Sequence, residues 1–315
     1  MRETGEMVGN VDKVEKAERL KALPPYLFVE IDKAKRRLIQ QGVDVIDLGV
    51  GDPDLPTPPG VIKTLQEAAE DPANHRYSFT EGLSQLRQAI AGWYQRRFNV
   101  TLDPATEVLP LLGSKEGIAH LPLALANPGD VVLVPDPCYP PYRSGTILAG
   151  ASVSSMPLLE ENGFLPDFGS ISQKAARSAK VMFLNYPNNP TAALATEDCF
   201  KEAIELAKAY QVAIAHDAAY SEIAFDGVKP ISFLQVPGAK EVGVEFHSFS
   251  KTYQMTGWRV GWVCGHAHVV AALGQLKSNL DSGIFQPIQF AAIEALQGDQ
   301  TSLQQAVATY QQRRD

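Results

Sequence analysis

A chain of 315 residues with 45% hydrophobic content is long enough for one large domain with an appendage, or for two domains. The net charge of −8 argues against a general nucleic-acid or anionic-membrane partner, while permitting a local basic pocket. Three cysteines, Cys138, Cys199 and Cys264, are far apart and odd in number, which excludes a disulfide framework and points to a reducing cytoplasm.

Residues 1–22 are polar and read as a mobile arm, charged throughout from Met1 to Leu20, so no signal peptide is expected. Pro24 and Pro25 end it. Leu27 to Gln41 reads as an amphipathic helix with Leu27, Ile31, Ala34, Leu38 and Ile39 on one stripe, closed by Gly42. Val45–Leu48 is predicted as a short strand, followed by a loop dense in Gly, Pro and Asp. From about residue 83 the pattern alternates. Helices are predicted at Leu83–Phe98, Ser114–Leu125, Pro140–Ala149 and Glu197–Tyr210. Strands are predicted at Glu107–Leu112, Val131–Val134, Val181–Leu184, Val212–Ala215, Val244–Ser248 and Val260–Cys264. No apolar run approaches membrane-spanning length. His266 and His268, the closest histidine pair, read as loop residues rather than a zinc site.

Short apolar strands alternating with helices mean an α/β protein with a mainly parallel sheet covered on both faces. Such sheets bind ligands at the carboxyl ends of their strands. After Leu112, Gly113-Ser-Lys-Glu-Gly117 opens a helix whose N-terminal N–H groups, with Lys115, make a phosphate cradle; Ser114 as a simple helix cap explains the residues equally well. After Val134, Tyr139 lies among prolines and could stack on a planar ring; taken without its neighbours, a packed loop tyrosine is the simpler reading. After Leu184, Asn188 and Asn189 sit in a proline-flanked turn able to aim an amide at a phenolate oxygen, though turn chemistry also accounts for them. After Ala215 come Asp217, a strand-end carboxylate that calls for a cation such as a protonated pyridine, and Tyr220, a donor three residues on. After Ser248 comes Lys251 between two hydroxyls, with Arg259 eight residues further. Lysine forms Schiff bases with carbonyls, and an arginine with a serine suits a phosphate. Jointly these groups point to pyridoxal phosphate; core packing does not call for that set.

Through Gly49-Val-Gly51-Asp-Pro-Asp, Tyr77, Gly113-Ser-Lys, Asn188-Asn-Pro-Thr, Asp217-Ala-Ala-Tyr220 and Ser248-Phe-Ser-Lys251 with Arg259, the chain resembles the class I/II, fold-type I pyridoxal-phosphate aminotransferases from about Pro24 onward. Pro25–Phe28, Asp44–Pro58, Gly113–His120 and Phe246–Arg259 make it look most like the LL-diaminopimelate aminotransferases within that family. The resemblance implies a three-layer α/β/α large domain at 47–290, an N-terminal arm and helix at 1–46 belonging to the small domain, and the start of that small domain at 291–315. It implies that Lys251 carries the Schiff base and moves the proton, that Asp217 pairs with the ring nitrogen, and that Asn189 and Tyr220 hold the ring oxygen. Tyr139 would stack on the ring, and Ser114, Lys115, Ser248 and Arg259 would bind the phosphate. Gly51, with Tyr139 and Asn189, would contact substrate. Tyr77 would reach the phosphate of a neighbouring subunit, so the resemblance implies a homodimer with shared sites. The implied reaction moves an amino group between an amino acid and a 2-oxo acid, here LL-diaminopimelate and 2-oxoglutarate, in the cytoplasm, with no nucleic-acid or membrane partner.

Two departures from the family pattern stand out. Ala192 follows Asn-Pro-Thr where glycine is usual; if the position needs a positive φ, alanine costs about 1 kcal/mol there. Relatives also continue past Asp315, so the chain is expected to lack most of the small domain and its carboxylate-clamping arginine, a role that Arg313 and Arg314 do not match. Transamination by this chain is accordingly expected to be weak or absent, with cofactor binding retained. The rival readings are another amino-acid aminotransferase, a β-lyase, and a non-catalytic cofactor-binding fragment or sensor, against which the absence of a basic DNA-binding segment counts.

Overall fold

The computed structural model describes residues 14–25, 27–49, 51–79 and 81–315. Most of the expected N-terminal arm, residues 1–13, lies outside these, as do Tyr26 in the Pro25–Phe28 motif and Val50 in the Gly49–Gly51 motif. Among the described residues, seven strands form one sheet: β1 (Val108–Leu111), β2 (Val131–Asp136), β3 (Ser152–Pro157), β4 (Ala179–Asn185), β5 (Ala213–Asp217), β6 (Gly243–Ser248) and β7 (Gly261–Gly265), in the order β1-β7-β6-β5-β4-β2-β3. The pairs from β3 to β6 are parallel, and β7 runs antiparallel to both β6 and β1. The carboxyl ends of six strands and the amino end of β7 therefore share one edge.

The described residues also form thirteen helices: α1 (Glu18–Lys21), α2 (Leu27–Gln40), α3 (Pro59–Glu70), α4 (Ser84–Phe98), α5 (Ser114–Leu125), α6 (Pro141–Leu148), α7 (Gln173–Ser178), α8 (Glu197–Tyr210), α9 (Ala239–Val242), α10 (Phe249–Thr252), α11 (Ala267–Ser278), α12 (Gln286–Gln297) and α13 (Thr301–Arg314). Successive strand residues feed opposite faces. In β4, Val181 and Phe183 join a core with Ile118 of α5, Tyr142 of α6 and Leu273 of α11. Met182 and Leu184 join the other, with Trp93 of α4, Phe200 of α8 and Ala291 of α12. The result is the expected α/β/α sandwich with a mainly parallel sheet.

Val45–Leu48 is not a strand. It pairs with no other strand among the described residues, and Ile46 and Leu48 are 85% and 91% exposed. An apolar tetrapeptide becomes a strand only where a neighbour supplies the ladder. Conversely β3, Ser-Val-Ser-Ser-Met-Pro, has no apolar run; it is an edge strand held on one side by β2. His266 caps α11 and His268 sits in its first turn, where a loop was expected. No helix among the described residues is long and apolar enough to cross a membrane.

Candidate active site

A cavity of about 550 Å³ opens at the shared strand edge, lined by the last residues of β4, β5 and β6, by the segments that follow β1, β2, β4, β5 and β6, and by the segment before β7. Lys251 lies in α10, the single helical turn that follows β6. Ser248 caps that turn, its hydroxyl accepting the Ser250 N–H at 3.1 Å. Burial lowers the basicity of Lys251; Asp52 opposes that shift and Arg259 adds to it. Both Asp52 and Gly51 line the cavity. Their segment is tied to the lysine turn by the Thr57 hydroxyl, which donates to the Gln254 carbonyl at 2.8 Å.

Asp217 ends β5 and is buried. Its Oδ2 accepts from Tyr142 Oη at 2.8 Å, and its Oδ1 from the Ala219 N–H at 3.2 Å. Burial raises its carboxyl above the ordinary value, and these two donors offset only part of the shift. Tyr142 was not legible in the sequence. It stacks on Phe183 with ring centroids 4.7 Å apart, and meets Tyr139 edge-on at 5.7 Å.

Asn185, the register partner of Asp217, donates through Nδ2 to the Asp217 carbonyl at 2.8 Å and accepts the Asn189 N–H at 2.7 Å. It thereby fixes the turn that carries Asn189, whose Nδ2 lies 3.5 Å from Tyr220 Oη. Burial pushes the Tyr220 phenol up to about 12, with Asp217 adding to the shift and Asn189 opposing it. In the same turn Ala192 has φ 60°, so the departure from glycine falls where the left-handed region is required.

The opposite corner is basic. Gly113 caps α5 and Ser114 is its first helical residue, so the reading of Ser114 as a mere cap does not hold. First-turn N–H groups have no acceptor within their helix. Arg259 follows a short 3₁₀ turn, and its Nη1 donates to the Thr256 carbonyl at 2.7 Å. A Cβ at Gly113 would collide with the Arg259 guanidinium, and one at Gly261 would lie 2.7 Å from the Ser114 nitrogen. These two glycines keep the corner open.

The structure thus brings Lys251, Asp217, Tyr220, Asn189, Tyr139, Ser114, Lys115, Ser248, Arg259 and Gly51 to one cavity. It does not bring Tyr77, which is 88% exposed and lines a separate depression beside Phe285. Arg313 and Arg314 lie outside the cavity, paired with Asp54 and Asp226. Among the described residues, no group of three or more His, Cys, Asp or Glu is arranged to hold a metal.

Comparison with known proteins accords with this geometry. The family description "Aminotransferase class I and II" matches residues 43–315. A protein of Syntrophobacter fumaroxidans named LL-diaminopimelate aminotransferase is 58% identical over 300 residues, covering 95% of this chain and 77% of that protein. One of the same name from Aquifex aeolicus is 54% identical over 298 residues, covering 95% and 77%. The substrate-bound structure of BacF from Bacillus subtilis superposes with a TM-score of 0.91 at 40% identity, covering 95% of this chain and 76% of that one. The chain belongs to the class I and II aminotransferase family.

Proposed function

We propose that this chain is a pyridoxal-phosphate-dependent transaminase that moves an amino group from LL-diaminopimelate to 2-oxoglutarate, a reaction of lysine biosynthesis. One juxtaposition carries the reading: the Lys251 amine, in the helical turn after β6, and the buried Asp217 carboxylate, at the end of neighbouring β5, face one cavity with a basic corner at Ser114 and Arg259. The names of relatives at 58% and 54% identity support the substrate.

The residues fit the cofactor. Asp217 is a buried acid whose carboxyl accepts from two neutral donors, the Tyr142 hydroxyl and the Ala219 N–H, which suits a protonated ring nitrogen. Gly113 and Gly261 leave room at the basic corner for a phosphate. When bound, pyridoxal phosphate supplies an aldehyde that condenses with amines and a ring that takes up carbanion charge. In this reading Asp217 keeps the ring nitrogen protonated. Tyr220, protonated at neutral pH because burial raises it, donates with Asn189 to the ring oxygen. Tyr139 covers the ring face. Ser114, Lys115, Ser248 and Arg259 hold the phosphate. Lys251, made less basic by burial, takes the α-proton of the amino acid and returns it. Gly51 lets the substrate carboxylate approach, beside Tyr139 and Asn189.

The same reading assigns residues 47–290 to a large domain and 1–46 with 291–315 to a small one. It makes the protein a cytoplasmic homodimer in which exposed Tyr77 serves the partner's phosphate. The test is the absorption spectrum of purified, cofactor-loaded protein before and after LL-diaminopimelate is added without any oxo acid. Loss of the Schiff-base band and formation of pyridoxamine phosphate are expected. A band that stays put with LL-diaminopimelate but bleaches with another amino acid would overturn the substrate. Pyruvate release without an oxo-acid acceptor would identify a lyase.

A further inference from the structure

The last turn of α11 buries a lysine that the proposed reaction does not use. Lys277 has no exposed surface. Its ammonium donates to both oxygens of Asp281 at 2.8 Å and lies 3.3 and 3.2 Å from the two oxygens of Glu116. Replacing a buried ionic cluster by apolar packing is often neutral or stabilising, so stability alone is a poor reason for one.

What the cluster holds is more informative. Glu116 Oε2 accepts the N–H of Leu112 at 2.7 Å. Leu112 is the first residue past β1, where the ladder to β7 ends at Leu111, and it leads straight into Gly113-Ser114-Lys115. Gly113 has φ 79°, and its Cα abuts the Arg259 guanidinium so closely that no Cβ fits. A small rotation at Leu112 would therefore move both the first turn of α5 and the arginine beside it. On the far side, Asp281 Oδ1 accepts the Gly283 N–H at 2.8 Å, so the lysine is itself held in place.

We propose that Lys277 is a positioning residue for the phosphate-binding turn. Through Glu116 it fixes the backbone at Leu112, Gly113 and Ser114 against Arg259. Affinity for the cofactor's phosphate depends on it, and affinity for the rest of the cofactor does not. This inference rests on the pyridoxal-phosphate reading of the cavity.

The test titrates cofactor-free protein with pyridoxal phosphate and with pyridoxal, which lacks the phosphate, following Schiff-base absorbance. Lys277→Met is expected to weaken pyridoxal phosphate about 10-fold or more, a usual size for losing a group that orients a binding residue, and pyridoxal less than about 2-fold. The double variant Lys277→Met with Asp281→Asn restores the cluster's net charge but not the tether, and should keep the loss. Its return to the wild-type affinity ratio would assign the effect to charge and overturn the positioning role. Should Lys277→Met not fold, the isosteric Glu116→Gln must lower the same ratio. Equal losses for both ligands, or none, would overturn the inference. Failure of the wild type to bind either ligand would instead overturn the reading of the cavity.

Discussion

Replacing Glu245 with methionine tests the scaffold beneath the cavity. This carboxylate is fully buried in the middle of β6, three residues before Ser248. Its Oε1 accepts from Tyr94 Oη at 2.9 Å and Ser232 Oγ at 2.7 Å, and lies 3.1 Å from His247 Nε2. Its Oε2 accepts the Phe233 N–H at 2.7 Å and lies 2.8 Å from Nδ1 of His216, the residue before Asp217. Once the carboxylate is gone, hydroxyls can rotate and imidazoles can change tautomer, but the Phe233 N–H cannot move. A buried donor without an acceptor costs about 1–3 kcal/mol, and each hydrogen bond to a charged group is worth about 1.5–3 kcal/mol. These costs overlap rather than add, so Glu245→Met should destabilise by about 4 kcal/mol, a large share of the roughly 5–15 kcal/mol that holds a domain together. Glu245→Gln keeps one oxygen acceptor and should cost only about 1–2 kcal/mol. Burial alone would raise this carboxyl, but hydrogen bonds from His216 and His247 overcome it and hold the group well below its ordinary value. Its folded-state pKa is depressed, so its contribution is complete above about pH 4.3, the ordinary glutamate value, and is lost as pH falls from there through the folded-state value. Urea unfolding of the cofactor-free chain measures both effects. A methionine variant within about 1 kcal/mol of wild type, or a glutamine variant equally damaged, would refute the reasoning.

Two further substitutions probe the site. Ala192 sits at φ 60°, where an L-residue costs about 1–2 kcal/mol, while glycine adds about 0.4–1 kcal/mol of unfolded-state entropy. Ala192→Gly should therefore raise stability by about 0.5–1 kcal/mol in thermal unfolding, and a lower midpoint would contradict the left-handed assignment. Asp217 is raised by burial in the cofactor-free chain, so the native state binds more protons than the unfolded state between the ordinary aspartate range and the raised folded-state value. Stability consequently falls as pH rises through that window, and at neutral pH the buried group is a net cost. Asp217→Asn should stabilise the cofactor-free protein at neutral pH, yet slow the amino-acid half-reaction by about 100-fold or more. A variant that is both less stable and fully reactive would overturn that account.

The sheet was legible because each central strand carries its own apolar run between turn residues, and the lining of the cavity was legible because those residues follow the ends of the runs. Lys251 and Asp217 stand out in local sequence as strand-end groups, whereas the choice of Asn189 over Asn188 came from the family resemblance. Residues whose role depends on a distant partner do not stand out in this way. Tyr142 meets Asp217 across 75 positions, Tyr94 meets Glu245 across 151, and Lys277 meets Glu116 across 161. No local pattern announces such pairs. The same limit explains the misread Val45–Leu48, an apolar run without a neighbouring strand, and the unread β3, which borrows its ladder from β2.

The central claim is covalent chemistry at one amine, and borohydride reduction of protein incubated with pyridoxal phosphate tests it most directly. Peptide mapping should find a single phosphopyridoxyl group on Lys251. An unmodified Lys251, or a label carried by Lys115 in its place, would contradict the account.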